Sequence, residues 1–477
     1  MEVFVSSSAP VSKVEVMDDG GAWAAMTYKP EWQSWALSYR IEPGHRVTFR
    51  ATTAAGVVTS CPFTHPQGVE QCPSSGNPWQ QDEYSAISGL GYDLATGDTD
   101  GDGRGELYAA TELALFEVDQ GAVRAVSTLP DWTAVTTGDL DRDGKAEVYG
   151  ARYSGSASTW EVHRFVRSGS GWSGRIVFAP GSYVSTLTVD DVDRDGQRDL
   201  YATGQDSVSR AAAWHLRPTT SGPFVSTRIL TVADPWGTAA AEWAWIGDAD
   251  RDGQVELVVM VAGRDFSEVH MADHTGSWQQ VRIGATDDFA GPVVAGDIDG
   301  DGKGEVATLG LSLVEVFTFT NGAWSRTVVH ETAGIGQDLF LGDGDNDGKQ
   351  ELYILEDRDA WVLRKASGSW SATRIATTPH WALRLIVGDG DRDGIREVFA
   401  LSFDSDRRLS HITRVQVPAT SFDATFSGVR GNEWWVQSMV NGNGQGIAAV
   451  DVRLDNGEWR PLARQSWGGW AASYRIV

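Results

Sequence analysis

Seven copies of one acidic loop divide the middle of this chain. They read GDTDGDGRGEL, GDLDRDGKAEV, DDVDRDGQRDL, GDADRDGQVEL, GDIDGDGKGEV, GDGDNDGKQEL and GDGDRDGIREV. The shared pattern is D-x-D-x-D-G-x-x-[E/D] followed by an apolar residue. Its first aspartates are Asp98, Asp139, Asp191, Asp248, Asp297, Asp343 and Asp389, so successive copies begin 41, 52, 57, 49, 46 and 46 residues apart. A unit of about 40–50 residues repeated in fixed order restricts the chain to a solenoid, a propeller or an array.

Three carboxylates at alternate positions, with a fourth acid behind them, converge on one hard cation. Ca²⁺ takes six to eight oxygens at about 2.3–2.6 Å in a tolerant geometry. In the first copy Asp98, Asp100 and Asp102 supply side-chain oxygens, Arg104 a backbone carbonyl, and Glu106 closes the site. Gly103 permits the sharp turn that a Cβ would resist. The same five roles fall in the second copy to Asp139, Asp141, Asp143, Lys145 and Glu147, and in the third to Asp191, Asp193, Asp195, Gln197 and Asp199. In the fourth they fall to Asp248, Asp250, Asp252, Gln254 and Glu256, and in the fifth to Asp297, Asp299, Asp301, Lys303 and Glu305. Asp343, Asp345, Asp347, Lys349 and Glu351 form the sixth set; Asp389, Asp391, Asp393, Ile395 and Glu397 form the seventh. About seven calcium ions per chain are expected.

An EF-hand needs a bidentate Glu at position 12 and flanking helices. Position 12 here is Ala109, Gly150, Ala202, Val259, Thr308, Ile354 or Ala400, none acidic. The segments that follow, such as ELYAATE, ELVVMVA and EVFALSF, are runs of strand length rich in β-branched and aromatic residues. Each repeat then continues with a third strand, as in VEVFTFT, and a Gly-rich turn into a fourth, as in GSWSATRIA. Four antiparallel strands per unit make a propeller blade. The seventh repeat lacks the Gly-x-Trp strand after HITRVQV, and the segment near DEYSAIS, before the first loop, is the candidate to close the ring.

This combination resembles the FG-GAP/VCBS repeat family, known from integrin α-chain propellers and secreted proteins, over residues 85–418. The resemblance implies an all-β, seven-bladed β-propeller whose acidic loops join the first two strands of each blade and hold calcium.

The formal net charge is -26, and seven loops with four carboxylates each account for a charge of that size. Such a balance argues against a nucleic-acid partner, which needs a basic face. No apolar run is long enough for a membrane span. Cys61 and Cys72 are the two cysteines, spaced for neither a zinc site nor a redox C-x-x-C. A disulfide between them suits the calcium-rich, oxidising exterior that the loops suggest; the alternative is two free thiols in a linker at 61–84. A secreted, extracellular protein is expected, with any leader outside MEVFVSSS.

The two ends resemble each other. VEVMDDGGAWAAM near the N-terminus aligns with VDVRLDNGEWRPL near the C-terminus, and SYRI recurs after each. Alternating strands and Gly/Asn turns suggest a small β-sandwich at 1–60 and a second, incomplete one at 419–477. The C-terminal copy is similar to the carbohydrate-binding C-terminal module of expansins. That resemblance implies a platform of Trp434, Trp435 and Trp467, of which the N-terminal copy keeps Trp32. Sugars stack on such rings through their apolar C–H faces. The last strands of the second module are missing, so either the chain is cut or another chain adds the strand in a head-to-tail assembly.

Aromatics stand at the start of the strand before six acidic loops: Tyr92, Trp132, Tyr183, Trp243, Phe289 and Trp381. They either encircle one mouth of the ring, as a glycan surface, or pack between blades. His380 beside Trp381 is the one nearby imidazole. No G-x-S-x-G, H-E-x-x-H or phosphate-cradling loop occurs, and the carboxylates are committed to metal, which leans against an enzyme. Three functions follow as expectations: a calcium-stabilised glycan-binding or adhesion protein, a polysaccharide lyase of the rhamnogalacturonan type, and an extracellular fibre subunit joined through its end modules.

Overall fold

The computed structural model describes residues 79–417 save 170, 220, 221, 290, 347, 367 and 393, and at the two ends strand segments between 2 and 69 and between 421 and 475. The chain forms two compact units: residues 79–345 with 349–416, and residues 1–78 with 346–348 and 417–477.

The larger unit is a seven-bladed β-propeller. Blade 1 runs Gly91–Gly97, Glu106–Thr111, Leu115–Asp119 and Ala122–Ser127, each strand antiparallel to the one before. Blades 2 to 6 repeat this order, with inner strands Trp132–Gly138, Val184–Asp190, Ala240–Gly247, Val293–Gly296 and Gly336–Gly342. The inner strands contact one another in sequence, and that of blade 7, Trp381–Gly388, returns to that of blade 1. Blade 7 takes Glu397–Asp404 and Leu409–Gln416 from the end of the repeat and its outer strand, Gln80–Ser88, from the beginning. The DEYSAIS segment does close the ring. Pairing the two ends of the repeat completes the fourth strand of blade 7 and ties the ring shut.

The core lies between blades, not within them. One cluster joins Tyr149, Ala151 and Val162 of blade 2 to Val184, Leu200 and Trp214 of blade 3. Another joins Phe399, Leu401 and Ile412 of blade 7 to Leu94, Leu107 and Val118 of blade 1. This explains why the second strands are continuous apolar runs: each is buried on both faces, with Glu106–Thr111, Glu305–Leu309 and Glu351–Glu356 buried at every position and the other four over their first six residues.

In the smaller unit, residues 2–6 pair antiparallel with 421–430, which pair with 433–439, and these with 470–475. The sheet therefore draws strands from both ends of one chain. A second sheet contains Val11–Asp18, Arg46–Thr53 and shorter strands. Cys61, Cys72, Trp32 and Trp467 lie outside the described residues, as do the side chains of Trp434 and Trp435. Among the described residues no helix is long and apolar enough to cross a membrane.

Candidate functional site

Every acidic loop joins the inner strand of its blade to the second strand, so all seven stand at one end of the ring. The same hydrogen bonds fold each loop on itself. In six of them the N–H of the position-6 glycine donates to Oδ2 of the first aspartate, at 2.7–3.2 Å. The third aspartate's N–H donates to the second's carboxylate, as from Asp102 to Asp100 at 3.2 Å and from Asp301 to Asp299 at 3.1 Å. The residue at position 7 donates to the third aspartate, as from Lys145 to Asp143 at 2.9 Å. These bonds wrap the backbone around the carboxylates and turn them toward one point. Positions 4 and 6 both take the left-handed conformation: Arg142 has φ +62° and Gly144 has φ +87°. A left-handed residue is easiest for glycine, and the loops accept arginine or asparagine only at position 4.

The predicted ligands converge. One carboxylate oxygen from each of Asp98, Asp100, Asp102 and Glu106 lies within 4.8 Å of all the others, and so do those of Asp139, Asp141, Asp143 and Glu147, and of Asp191, Asp193 and Asp195. Asp347 and Asp393 lie outside the described residues. The closing acid is buried at the root of the loop. Its carboxylate accepts the N–H of position 2, from Thr99 to Glu106 at 3.1 Å, Leu140 to Glu147 at 3.0 Å, Ala249 to Glu256 at 2.9 Å and Ile298 to Glu305 at 3.2 Å. Burial pushes Glu256 up to about 8 and Glu305 up to about 7, and raises Glu106 and Glu147 in the same direction.

A divalent cation fits this donor set. Glu106 Oε1, Asp191 Oδ1 and Asp297 Oδ1 are buried without a hydrogen-bond partner, an arrangement that costs free energy unless a cation takes the oxygens. The donors are all oxygen and hard, which suits calcium or magnesium over softer ions.

Three features escaped the sequence reading. A tyrosine two residues after the closing acid donates to it, at 2.8 Å from Tyr149 to Glu147 and 3.0 Å from Tyr353 to Glu351. An arginine at position 4 reaches into the next loop of the ring. Arg142 meets the Gly196 carbonyl, Arg194 lies 3.4 Å from Glu256, Arg251 meets Glu305, and Arg392 bonds Asp100 at 3.0 Å and also meets Asp102. The recurring D-R-D was the available signal. In the third loop, where the closing acid is the shorter Asp199, buried His215 stands 2.6 Å from it and 3.8 Å from Asp193.

The opposite face differs. Of the fifteen exposed large hydrophobic side chains among the described residues, ten stand on loops or strand ends at this second mouth. Trp236 and Phe289 are 60% exposed, Trp381 43% and Tyr92 38%. Trp236 was not singled out from sequence; its indole N–H donates to Asp265 at 3.1 Å and the Arg264 guanidinium lies 4.9 Å from its ring centre. Tyr183 and Trp243 are half-buried, whereas Trp132 is fully buried, edge-on to Phe165 at 5.6 Å. The ring of six therefore divides between mouth and core.

Between the two mouths the inner strands line a cavity of about 360 Å³. In six blades a bulge near the start of the inner strand re-aims the next side chain. Asp93 and Asp338 so placed accept backbone N–H groups of the following blades, from Val135 at 2.9 Å and Leu385 at 2.7 Å. Arg384 stands 3.7 Å from Asp93, yet burial still pushes Asp93 up to about 6.

Fold and loops together define a seven-bladed β-propeller with acidic first-to-second-strand loops. No family model and no curated protein matches the sequence. Among solved structures, the Dos1 propeller aligns with 86% of this chain and 94% of its own at 10% identity and a TM-score of 0.45. A protein from Lactobacillus plantarum aligns with 69% of this chain and 98% of its own at 12% identity and a TM-score of 0.40.

Proposed function

We propose that this chain is a calcium-stabilised FG-GAP/VCBS-type propeller of the extracellular space, whose mouth opposite the acidic loops binds a glycan. The observation that carries the reading is the division of labour between the two ends. Carboxylates gather at one end, and ten of the fifteen exposed large hydrophobics gather at the other. An exposed apolar surface rimmed by polar groups is a common mark of a binding face. Exposed indoles beside acids and arginines, as at Trp236 with Asp265 and Arg264, offer a stacking plane with hydrogen-bonding neighbours for hydroxyls. In this reading the aspartates and closing acids of the loops hold calcium, which supplies the positive charge that lets buried carboxylates ionise. The expansin-like platform of Trp434, Trp435, Trp467 and Trp32 would add a second sugar contact.

The test is retention on immobilised pectin, cellulose and chitin, with calcium or EGTA, for the wild type and for Trp236→Ala and Trp381→Ala. Retention that needs calcium and falls at least tenfold in either variant supports the reading. Equal retention by all proteins, or none, refutes it. Release of unsaturated product absorbing in the ultraviolet would move the assignment to the lyase. A second reading, adhesion to a protein ligand, draws on the aliphatic part of the same face, where Leu113, Val208, Leu311 and Ile335 are exposed.

A further inference from the structure

We propose that blade 7 carries, on the mouth face, a separate site for a first-row transition-metal ion of the zinc class, built from His380, Asp404 and His411 with Glu83 behind it. All four strands of the blade contribute. His380 precedes the inner strand, Asp404 ends the second, His411 lies in the third and Glu83 in the closing strand Gln80–Ser88. The acidic loop of the same blade stands at the other end of the inner strand, so the two sites are distinct.

One ligand atom from each of His380, Asp404 and His411 lies within 4.8 Å of the other two. His380 Nε2 is 3.6 Å from Asp404 Oδ2, and the two imidazole rings are 5.0 Å apart. His411 is 9% exposed. Its Nδ1 lies 2.8 Å from Glu83 Oε1. An ionised carboxylate only accepts, so Nδ1–H donates, and in the neutral imidazole Nε2 then keeps its lone pair. That Nε2 is buried with no hydrogen-bond partner. This is the orientation in which an outer carboxylate fixes the tautomer of a metal-bound histidine. Asp404 is oriented too: its Oδ1 accepts the N–H groups of Asp406 at 2.9 Å and Arg407 at 3.1 Å, which leaves Oδ2 to face the histidines.

Hydrogen bonding alone does not account for the cluster, because 3.6 Å is too long for a bond between His380 and Asp404 and it leaves Nε2 of His411 unused. Two imidazoles and one carboxylate are the donor set of zinc and its neighbours; calcium prefers oxygen alone. Three protein ligands leave a coordination position open. His380 and Asp404 themselves line a pocket of about 500 Å³ together with Trp381, Phe403 and Ser405. Arg407, 3.8 Å from Asp404 and largely exposed, is the competing cation at the rim.

The test is equilibrium dialysis of the whole chain against zinc chloride with calcium in excess, so that the acidic loops are filled. Cobalt spectra serve as a second readout of nitrogen ligation. The structure predicts a zinc ion whose affinity falls at least tenfold in His380→Ala and His411→Gln and about tenfold in Glu83→Gln. His215→Asn, at the other histidine–acid cluster, should leave this affinity unchanged. His380 is partly exposed, so its variant should fold even if His411→Gln does not; a thermal melt checks this. No micromolar zinc binding by the wild type, or undiminished binding in folded His380→Ala, overturns the proposal.

Discussion

Chelating the metal should reverse the pH dependence of stability. Glu256 and Glu305 are buried closing acids held at about 8 and about 7, against an ordinary 4.5, chiefly by burial. Their folded values exceed their unfolded ones. The stability gained from protonating them is therefore fully present below the unfolded value and is lost as pH rises through 7 and 8. Between pH 6.5 and 8 the unfolded chain has both ionised throughout. Over that window the loss is about 1.6 kcal/mol for Glu256 and about 0.8 kcal/mol for Glu305, roughly 2 kcal/mol together. For a unit of about 340 residues this corresponds to a fall in Tm of about 3 °C. Glu106 and Glu147, raised in the same direction, add to it. Buried His163 and His270 and half-buried His330 are lowered and act with the opposite sign; their unfolded value lies at the foot of the window, so they offset up to about 1 kcal/mol and bring the expected fall in Tm to about 2 °C. The assay is a thermal melt by circular dichroism at pH 6.5, 7, 7.5 and 8, in EGTA and in millimolar calcium. The EGTA curve should rise toward pH 6.5, while with calcium the carboxylates are already ionised and Tm should be higher and flat or falling. Glu256→Gln should shrink the slope in EGTA. Equal Tm values with and without calcium would refute the metal assignment; an EGTA curve that falls toward pH 6.5 would refute the electrostatic argument.

Arg392→Met removes the clasp from the seventh loop to the first and should cost about 1–3 kcal/mol in EGTA, measured by urea unfolding, because Asp100 and Asp102 lose their cation and Glu106 keeps only Arg167, 4.0 Å away. In calcium the cost should be smaller. Gly103→Ala should cost about 1–2 kcal/mol in the same assay: nothing crowds the new Cβ, and the penalty is that of φ +84° alone. Trp132→Ala should cost about 3–5 kcal/mol by emptying a fully buried site between blades, whereas Trp381→Ala at the mouth should leave the urea midpoint nearly unchanged.

The loops, their count and their position between the first two strands were legible because they are local. A D-x-D-x-D-G stretch folds through bonds within a few residues of itself, and the copies preserve that chemistry in order. The closing strand was legible for a different reason. The seventh repeat lacks a fourth strand, and Gln80–Ser88 supplies it. The ends were harder. Each reads as a module, but strands 2–6 and 421–430 pair across more than four hundred residues of sequence, and no periodicity encodes which edge meets which. The aromatic positions were equally ambiguous. Trp132 stands seven residues before its first aspartate and Trp381 eight, and that one-residue offset, set against the bulge in each strand, leaves one ring buried and the other exposed.

What the sequence by itself determined is the repeat: seven units, four strands each, with an acidic loop after the first. Strand propensity, turn chemistry and convergent carboxylates act over short distances and are written residue by residue. What only the tertiary structure decided is what stands beside what. The arginine at position 4 becomes a clasp because the ring places the next loop within its reach, and Arg392 completes the circuit from blade 7 to blade 1. His380, Asp404, His411 and Glu83 span more than three hundred residues of chain and meet only when the N-terminal strand closes the last blade. Side chains from distant segments share a site through closure of the ring, and closure is a property of packing between blades, not of any one repeat.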